Sequence, residues 1–276
     1  MNPVIKISKT KSFLKKVLRN KKFNPEIVII TGSGLGGIRK KFEIIKTVKY
    51  EKIPFFAKAT VSGHKGELVF CSYKGKDIII VSGRVHYYEG HNAGEIIYPL
   101  RVLKALGVKT LISTAAVGAL NKNYNPGDIV FIKDHINFTG NNPLIGGHFD
   151  EFGKRFPDIG SAYDAELRKF ALKAAKQNKI KSREGIYFCV SGPSYETPAE
   201  VSAFRKLGGD VVGMSVVYEV IAAAQMGIKT LGISYVSNMA AGINKEALSH
   251  DDVLVLGKKA GAEISVIIEG VLGKIK

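Results

Sequence analysis

Along the chain, short β-branched runs alternate with longer stretches whose apolar residues recur at helical spacing. Phe13, Leu14, Val17 and Leu18 are spaced in this way among lysines, which predicts an amphipathic helix with a solvated basic face. A strand over 26–31 follows Pro25 and feeds the turn Gly32-Ser33-Gly34-Leu35-Gly36-Gly37. The runs 66–73 and 77–81 flank Lys74-Gly75-Lys76 and predict a hairpin. Between them and the first strand, 42–50 is short and Lys-rich and predicts no strand. Positions 93–106 are spaced as a helix that stops at Gly107, and 109–116 reads as a buried strand running on through small residues to Ala119. Strands are further predicted at 128–137, 185–190, 210–213 and 229–236, and helices at 163–177, 198–207 and 216–226. A C-terminal helix follows, with Ser249 as its cap. The segment 141–160 has Gly, Pro, Asn and aromatic residues without periodicity and predicts a long functional loop. Alternation without a repeat or linker predicts one α/β domain over 1–276, with a mixed, mostly parallel sheet flanked by helices.

Composition narrows the class. A 45% hydrophobic content supplies a large core in 276 residues, and no run is long or apolar enough to span a membrane. The Lys-rich start lacks the apolar stretch of a secretory signal. Cys71 and Cys189 sit inside apolar runs without metal-ligand spacing, so they are expected as buried free thiols in a reducing, cytoplasmic compartment. The formal charge is +17, and no acid precedes Glu26, whereas Lys6, Lys9, Lys11, Lys15, Lys16, Arg19, Lys21 and Lys22 are basic. A basic arm can bind nucleic acid. The remaining excess is spread evenly as lysine, which favours a polar surface that draws in anionic substrates, with no nucleic-acid or membrane partner.

The candidate chemistry gathers where strands end. Gly83-Arg84-Val85-His86-Tyr87-Tyr88-Glu89-Gly90 leaves a strand and at once presents a guanidinium fork for phosphate or carboxylate, and a histidine that Glu89 can orient. The glycine-rich turn after the first strand fits G-x-G-x-x-G. The acid that a dinucleotide fold wants about 20 residues on has no strand to stand on, so an anion-binding turn or a plain tight turn remains. His64, in Ser62-Gly63-His64-Lys65-Gly66, reads as a phosphate partner or a surface histidine. In Ser191-Gly192-Pro193-Ser194-Tyr195-Glu196-Thr197-Pro198, Tyr195 can stack on a planar heterocycle and Glu196 can accept from its N–H, while Thr197 and Pro198 also open a helix. Ser215 is expected to cap the helix after Gly213-Met214, with its end toward an anion. Asn238 has an amide that can both donate and accept.

Together these stretches resemble the low-molecular-mass, homotrimeric purine nucleoside phosphorylases, within the wider purine nucleoside and methylthioadenosine phosphorylase family. The resemblance runs from about Glu26 to near the C-terminus. It is carried by Gly32-Ser33-Gly34-Leu35-Gly36, Gly63-His64, Gly83-Arg84 through Gly90, Gly127-Asp128-Ile129 with Asp134-His135-Ile136-Asn137, and Gly192-Pro193-Ser194-Tyr195-Glu196-Thr197. Val212-Gly213-Met214-Ser215 and Ser237-Asn238-Met239-Ala240-Ala241-Gly242 with Leu248-Ser249-His250 complete it, the Asn-Met-Ala-Ala-Gly form being like the bacterial branch.

The resemblance implies phosphorolysis of a purine (deoxy)ribonucleoside to free base and pentose 1-phosphate, in purine salvage, with inorganic phosphate as co-substrate and no metal or organic cofactor. It implies a phosphate site at Ser33, Arg84, His86, Ser215 and the backbone near Ala116, with His64 gating it. It implies a ribose pocket at Tyr88, Met214 and His250, with Phe156 lent by a neighbouring subunit of a trimer. The base pocket would be Tyr195, Glu196, Val212 and Asn238, with Asn238, Glu196 and His86 catalytic. One departure stands out: the family's Asn-Ala-Ala-Gly-Gly is Ala115-Ala116-Val117-Gly118-Ala119 here, which leans toward the methylthioadenosine phosphorylases and their 6-aminopurines. Glu196 argues for 6-oxopurines such as inosine and guanosine, because a carboxylate only accepts and matches their N1–H.

Overall fold

Residues 1–18, 22–32, 34–61, 64–244 and 250–275 are described by the computed structural model, the side chains of 250–255 excepted. Strand β1 (Ile27–Thr31) is buried at every position, as its unbroken apolar run requires. Val28 and Ile30 enter one core and Ile27 and Ile29 the other. With β2 (Glu43–Lys49), β3 (Glu67–Tyr73), β4 (Lys76–Ser82), β5 (Thr110–Ala119), β6 (Ile129–Asn137), β7 (Ser182–Cys189), β8 (Val211–Gly213) and β9 (Lys229–Met239) it forms a 9-stranded sheet in the order β2-β3-β4-β1-β5-β8-β7-β6-β9. Because β9 also pairs with β5, the strands β5, β8, β7, β6 and β9 close into a ring. Five pairings are parallel (β1–β4, β1–β5, β5–β9, β6–β7, β7–β8) and four antiparallel, the mixed sheet that the pattern predicts.

Helices cover both faces. One core takes Ile7 and Leu14 of α1 (Pro3–Val17), Ile97 and Leu103 of α2 (Ala93–Leu106) and Ala222 of α5 (Val217–Gln225). The other takes Leu167 and Ala171 of α3 (Ala165–Gln177) and Ile264 and Ile268 of α6 (His250–Leu272). Val201 and Phe204 of α4 (Pro198–Lys206) pack with Leu120 and Phe188 in a smaller cluster. Helix α1 begins earlier than its apolar spacing suggests, because Asn2 caps it and Pro3 stands in its first turn. Its buried Thr10 is held by the Tyr98 hydroxyl at 2.6 Å. Cys71 and Cys189 are buried and free, as expected. Among the described residues no helix is long and apolar enough to cross a membrane.

The hairpin between β3 and β4 turns through Lys74 and Gly75, both at positive φ (48° and 78°), the pairing that a two-residue hairpin of matching twist needs. Segment 43–49, expected to form no strand, is instead β2, antiparallel to β3. It is the sheet's outer strand, and its lysines Lys46 and Lys49 belong there, since charged side chains blunt an open edge. Polarity hid it.

The glycine-rich turn has a packing role apart from any ligand. A Cβ on Gly34, which lies at φ +76°, would fall 2.8 Å from the Cα of Gly257 in α6, and one on Gly257 would fall 2.8 Å from the Cα of Gly34. Two backbones touch here, and neither can give way cheaply. Gly257→Ala is expected to destabilise the fold by roughly 1–3 kcal/mol. Gly261→Ala, one turn later, meets nothing nearer than 3.6 Å and should be neutral or stabilising through better helix propensity. Urea unfolding midpoints of the two variants check the contrast.

Candidate active site

The strand ends converge on an open cleft of about 720 Å³ lined by Arg84, His86, Tyr88, Ala115 to Gly118, Tyr195, Glu196, Val212 to Ser215, Ser237 and Asn238. Gly32, after β1, completes the floor. Carboxyl ends of strands are where an open α/β sheet exposes backbone and loop groups together. Ten of the fourteen residues singled out from the sequence line this one cleft: Arg84, His86, Tyr88, Ala116, Tyr195, Glu196, Val212, Met214, Ser215 and Asn238.

At one end sits Arg84, with its side chain 4% exposed. Its guanidinium donates to the Thr114 carbonyl, to Ser113 Oγ at 3.5 Å and to Glu219 Oε1 at 3.4 Å, while its Nε is buried without a partner. Beside it, His86 Nδ1 lies 2.8 Å from Glu89 Oε1. Since a carboxylate only accepts, Nδ1 carries the proton and Nε2 of the neutral ring has a lone pair. Glu89 is itself fixed by the His86 backbone N–H at 2.7 Å and by the Thr60 backbone N–H and hydroxyl at 2.7 and 2.5 Å. Burial pushes the Glu89 carboxyl up, but these hydrogen bonds outweigh it and hold the group at about 2. Burial lowers His86, against the pull of its Glu89 hydrogen bond. The His86 ring stacks on Tyr88 with centroids 4.6 Å apart.

His64 stands behind this end rather than in the cleft lining, its ring centroid 5.1 Å from that of His86. Its Nδ1 lies 2.9 Å from the Arg84 carbonyl, so that nitrogen carries the proton. Burial pushes His64 down to about 4, and the hydrogen bond to that carbonyl offsets only part of the shift. Both histidines are therefore neutral near pH 7, and among the described residues lining the cleft Arg84 is the cation.

Ser215 is not the helix cap expected of it. The N-cap position of α5 is Val216, at φ 71° and ψ −54°, and the Val217 N–H donates to the Ser215 carbonyl at 2.8 Å. This is a γ-turn centred on a β-branched residue, a strained conformation that persists because Val216 is buried in the core. The turn sets Ser215 at the cleft, with its N–H held by the Tyr187 hydroxyl at 3.2 Å.

At the other end, β9 carries Asn238 on a bulge. Val117 is paired with Val236 but Gly118 with Asn238, leaving Ser237 as the extra residue that re-aims the strand. The Ser237 hydroxyl donates to Asn238 Oδ1 at 2.6 Å, and Asn238 Nδ2 donates to the Met239 carbonyl at 3.0 Å. The amide is thus oriented, with its second N–H uncommitted among the described residues. Burial raises the Glu196 carboxyl from its ordinary value, partly offset by a hydrogen bond from its own backbone, and its neighbour Glu200 adds to the rise. Thr197 caps α4 with Pro198 in the first turn, so that stretch serves both the helix and the cleft.

Phe156 lies outside the cleft, 86% exposed in the aperiodic segment. Ser33, Ser249 and the His250 side chain fall outside the described residues. Sequence reasoning missed Glu219, Thr60 and Ser237. Of these, Glu219 alone left a signal, a lone acid in the otherwise apolar run Val217-Tyr218-Glu219-Val220-Ile221. Among the described residues no group of three or more His, Cys, Asp or Glu side chains could hold a metal ion.

Comparison with known proteins places this geometry. Residues 26–273 match the family described as the Phosphorylase superfamily. The chain is 45% identical to purine nucleoside phosphorylase 1 of Bacillus subtilis over 269 residues, 98% of each chain. The crystal structure of isoform 2 of purine nucleoside phosphorylase from Schistosoma mansoni, in complex with cytosine and ribose-1-phosphate, superposes with a TM-score of 0.92 at 40% identity, covering 100% of this chain and 99% of that one. A Schistosoma mansoni purine nucleoside phosphorylase in complex with adenosine gives a TM-score of 0.90 at 35% identity, covering 98% and 97%.

The buried neutral histidines make stability depend on acid. Between 6.5 and about 4 the unfolded chain binds a proton at residue 64 that the folded chain refuses, so stability falls as pH drops through that window and is complete above 6.5. His86, shifted in the same direction, adds to the slope. Thermal melts across this range should show the loss, and His64→Gln should flatten it by on the order of 2 kcal/mol.

Proposed function

The chain belongs to the phosphorylase superfamily and, within it, to the purine nucleoside phosphorylases, and from that premise we propose a role for each group in the cleft. Its reaction is phosphorolysis of a purine nucleoside to free base and pentose 1-phosphate. Supporting the assignment of roles is one feature above all: one cleft lining combines a buried cation beside a neutral imidazole with an oriented amide and a carboxylate. Phosphate lies against Arg84, His86, Ser215 and the backbone at Ala116, with Ser33 and the gating His64 beside it. Tyr88, Met214 and His250 hold the sugar between the ends. Tyr195 and Val212 sandwich the base, Glu196 accepts from N1–H, and Asn238 donates to N7.

In this reading the bond from the anomeric carbon to the purine nitrogen breaks through an oxocarbenium-like state while phosphate waits on the opposite face. The bonding electrons move onto the purine, where the free N–H of Asn238 meets the growing charge at N7. A phosphate oxygen then bonds the anomeric carbon. Phosphate is the co-substrate, and neither metal nor organic cofactor enters, which turnover in the presence of a chelator tests. The reading further places the protein in cytoplasmic purine salvage, consistent with two buried free thiols.

Glu196 favours 6-oxopurines, since an ionised carboxylate repels the N1 lone pair of adenine. The specific observation favouring a 6-aminopurine, methylthioadenosine included, is Val117 at the cleft wall where the family's pattern has a second small residue. Phosphate-dependent release of base from inosine, guanosine, adenosine and methylthioadenosine decides between them. We expect inosine and guanosine to lead, and Asn238→Asp to lower kcat/KM for inosine and raise the adenosine-to-inosine ratio by at least about 100-fold. A wild-type preference for adenosine or methylthioadenosine overturns the 6-oxopurine reading.

A trimer with shared sites is part of the same proposal. Four large apolar side chains stand exposed within one stretch, Phe138, Ile145, Phe156 and Ile159, more than a lone surface normally leaves in water. Light scattering should report three chains per particle. Phe156→Ala should raise the nucleoside KM while leaving the melting temperature unchanged, whereas a fully active monomer excludes the shared site.

A further inference from the structure

Glu219 is used by none of the roles above, yet it is the acid paired with the cleft's buried cation. It sits in the first turn of α5, 3% exposed, on a helix whose other buried positions are Val217, Tyr218, Val220, Ile221, Ala222, Ala223 and Gln225. A carboxylate in such surroundings is costly unless paired, and the Arg84 guanidinium 3.4 Å away is its ion-pair partner. The two line different spaces. Arg84 borders both the active cleft and a second, largely apolar cavity walled by Ile30, Val81, Val85, Ile96, Leu100 and Leu103, whereas Glu219 borders the second cavity and not the cleft. The carboxylate is absent from the cleft lining and meets the guanidinium from the side of the second cavity. The contact is single and long rather than a bidentate fork, which leaves the guanidinium electrostatically divided between this acid and any anion in the cleft.

We propose that Glu219 is a positioning residue that sets the affinity of the cleft for phosphate and for the pentose 1-phosphate product, by balancing the charge of Arg84 from outside the cleft lining. The inference rests on the assignment of Arg84 to the phosphate. Its physical content is a compromise. With His64 and His86 neutral, an unopposed Arg84 in a desolvated wall would hold either anion tightly, and an enzyme that must release a phosphorylated product gains from tempering that grip. Glu219 supplies the tempering, and with the Thr114 carbonyl it also fixes the plane of the guanidinium.

Three substitutions separate charge from contact. Glu219→Gln keeps an acceptor oxygen for Arg84 but removes the charge, and is expected to lower the phosphate KM and the inhibition constant of ribose 1-phosphate together, on the order of tenfold. It should lower kcat as product release slows, and leave the inosine KM within about twofold. Glu219→Asp, which keeps the charge near, should leave the phosphate KM within about threefold of wild type. Glu219→Ala loses both charge and orientation and should raise the phosphate KM. Melting curves on each variant, read with and without phosphate, measure anion binding independently of turnover and hold even for a variant with weak activity. The proposal is overturned if Glu219→Gln leaves the phosphate KM unchanged, or moves the phosphate and inosine KM values by the same factor. Arg84→Lys guards the premise: if it does not alter phosphate dependence, the phosphate site itself is misassigned. If Arg84→Lys acts and Glu219→Gln does not, only the role of Glu219 falls.

Discussion

The Arg84 guanidinium leaves the end of β4 and reaches the Thr114 carbonyl and Ser113 hydroxyl of β5 and the Glu219 carboxylate of α5, while the Arg84 carbonyl receives His64. Four segments distant in sequence are tied through one residue. A buried cation is tolerated only when its surroundings are oriented to receive it, so the chain must bring all four into register or leave the charge uncompensated. That requirement makes the Arg84 end of the cleft a consequence of folding rather than an addition to it. Both nearby histidines are neutral chiefly because burial disfavours their charged forms; the adjacent guanidinium disfavours them further, while the Arg84 carbonyl offsets part of the shift at His64.

Neutral imidazoles shape the chemistry available. His86 turns Nδ1–H toward Glu89 and so leaves Nε2 with a lone pair, suited to accept a hydrogen bond rather than to add a second positive charge. The four hydrogen bonds on Glu89 keep that carboxylate ionised far below neutrality, so the tautomer of His86 is fixed across the working range. Thr60 belongs to this arrangement. It provides two of those four bonds from the loop that carries His64, and so couples the position of the loop to the orientation of the ring.

Much of this was legible in the chain. Unbroken β-branched runs marked β1 and β4, and the Gly107 stop marked the end of α2 to the residue, because burial and capping are local demands that side chains announce. Residues at strand ends were legible for a different reason: a parallel α/β sheet gathers whatever follows its strands, so Arg84, Tyr195, Met214 and Asn238 could be grouped before any contact was known. What escaped was non-local or unfavourable in isolation. Strand β2 depends on β3 to exist, and its lysines suit an edge. Ser215 was expected to cap α5, yet the helix starts after a γ-turn at Val216, a conformation that valine resists and only the packed core imposes. Glu219 showed itself as an acid out of place, but its partner lies 135 residues away.

The strained and bulged positions share a physical logic. Ser215 follows the strand β8 and precedes a residue at φ 71°, and Asn238 follows an extra residue in β9. Each device bends the backbone just where a regular strand or helix would have pointed the side chain elsewhere. Each is affordable because its flanks are buried and rigid: β9 is paired on both sides, with β5 and β6, and Val216 and Val217 are sealed among Val211, Val220 and Val236. Closure of β5 through β9 into a ring removes the freedom by which an open sheet could relax those distortions. A cleft built this way holds its donors and acceptors in place before any ligand arrives, which is the condition under which hydrogen bonds stabilise a developing charge without first being reorganised.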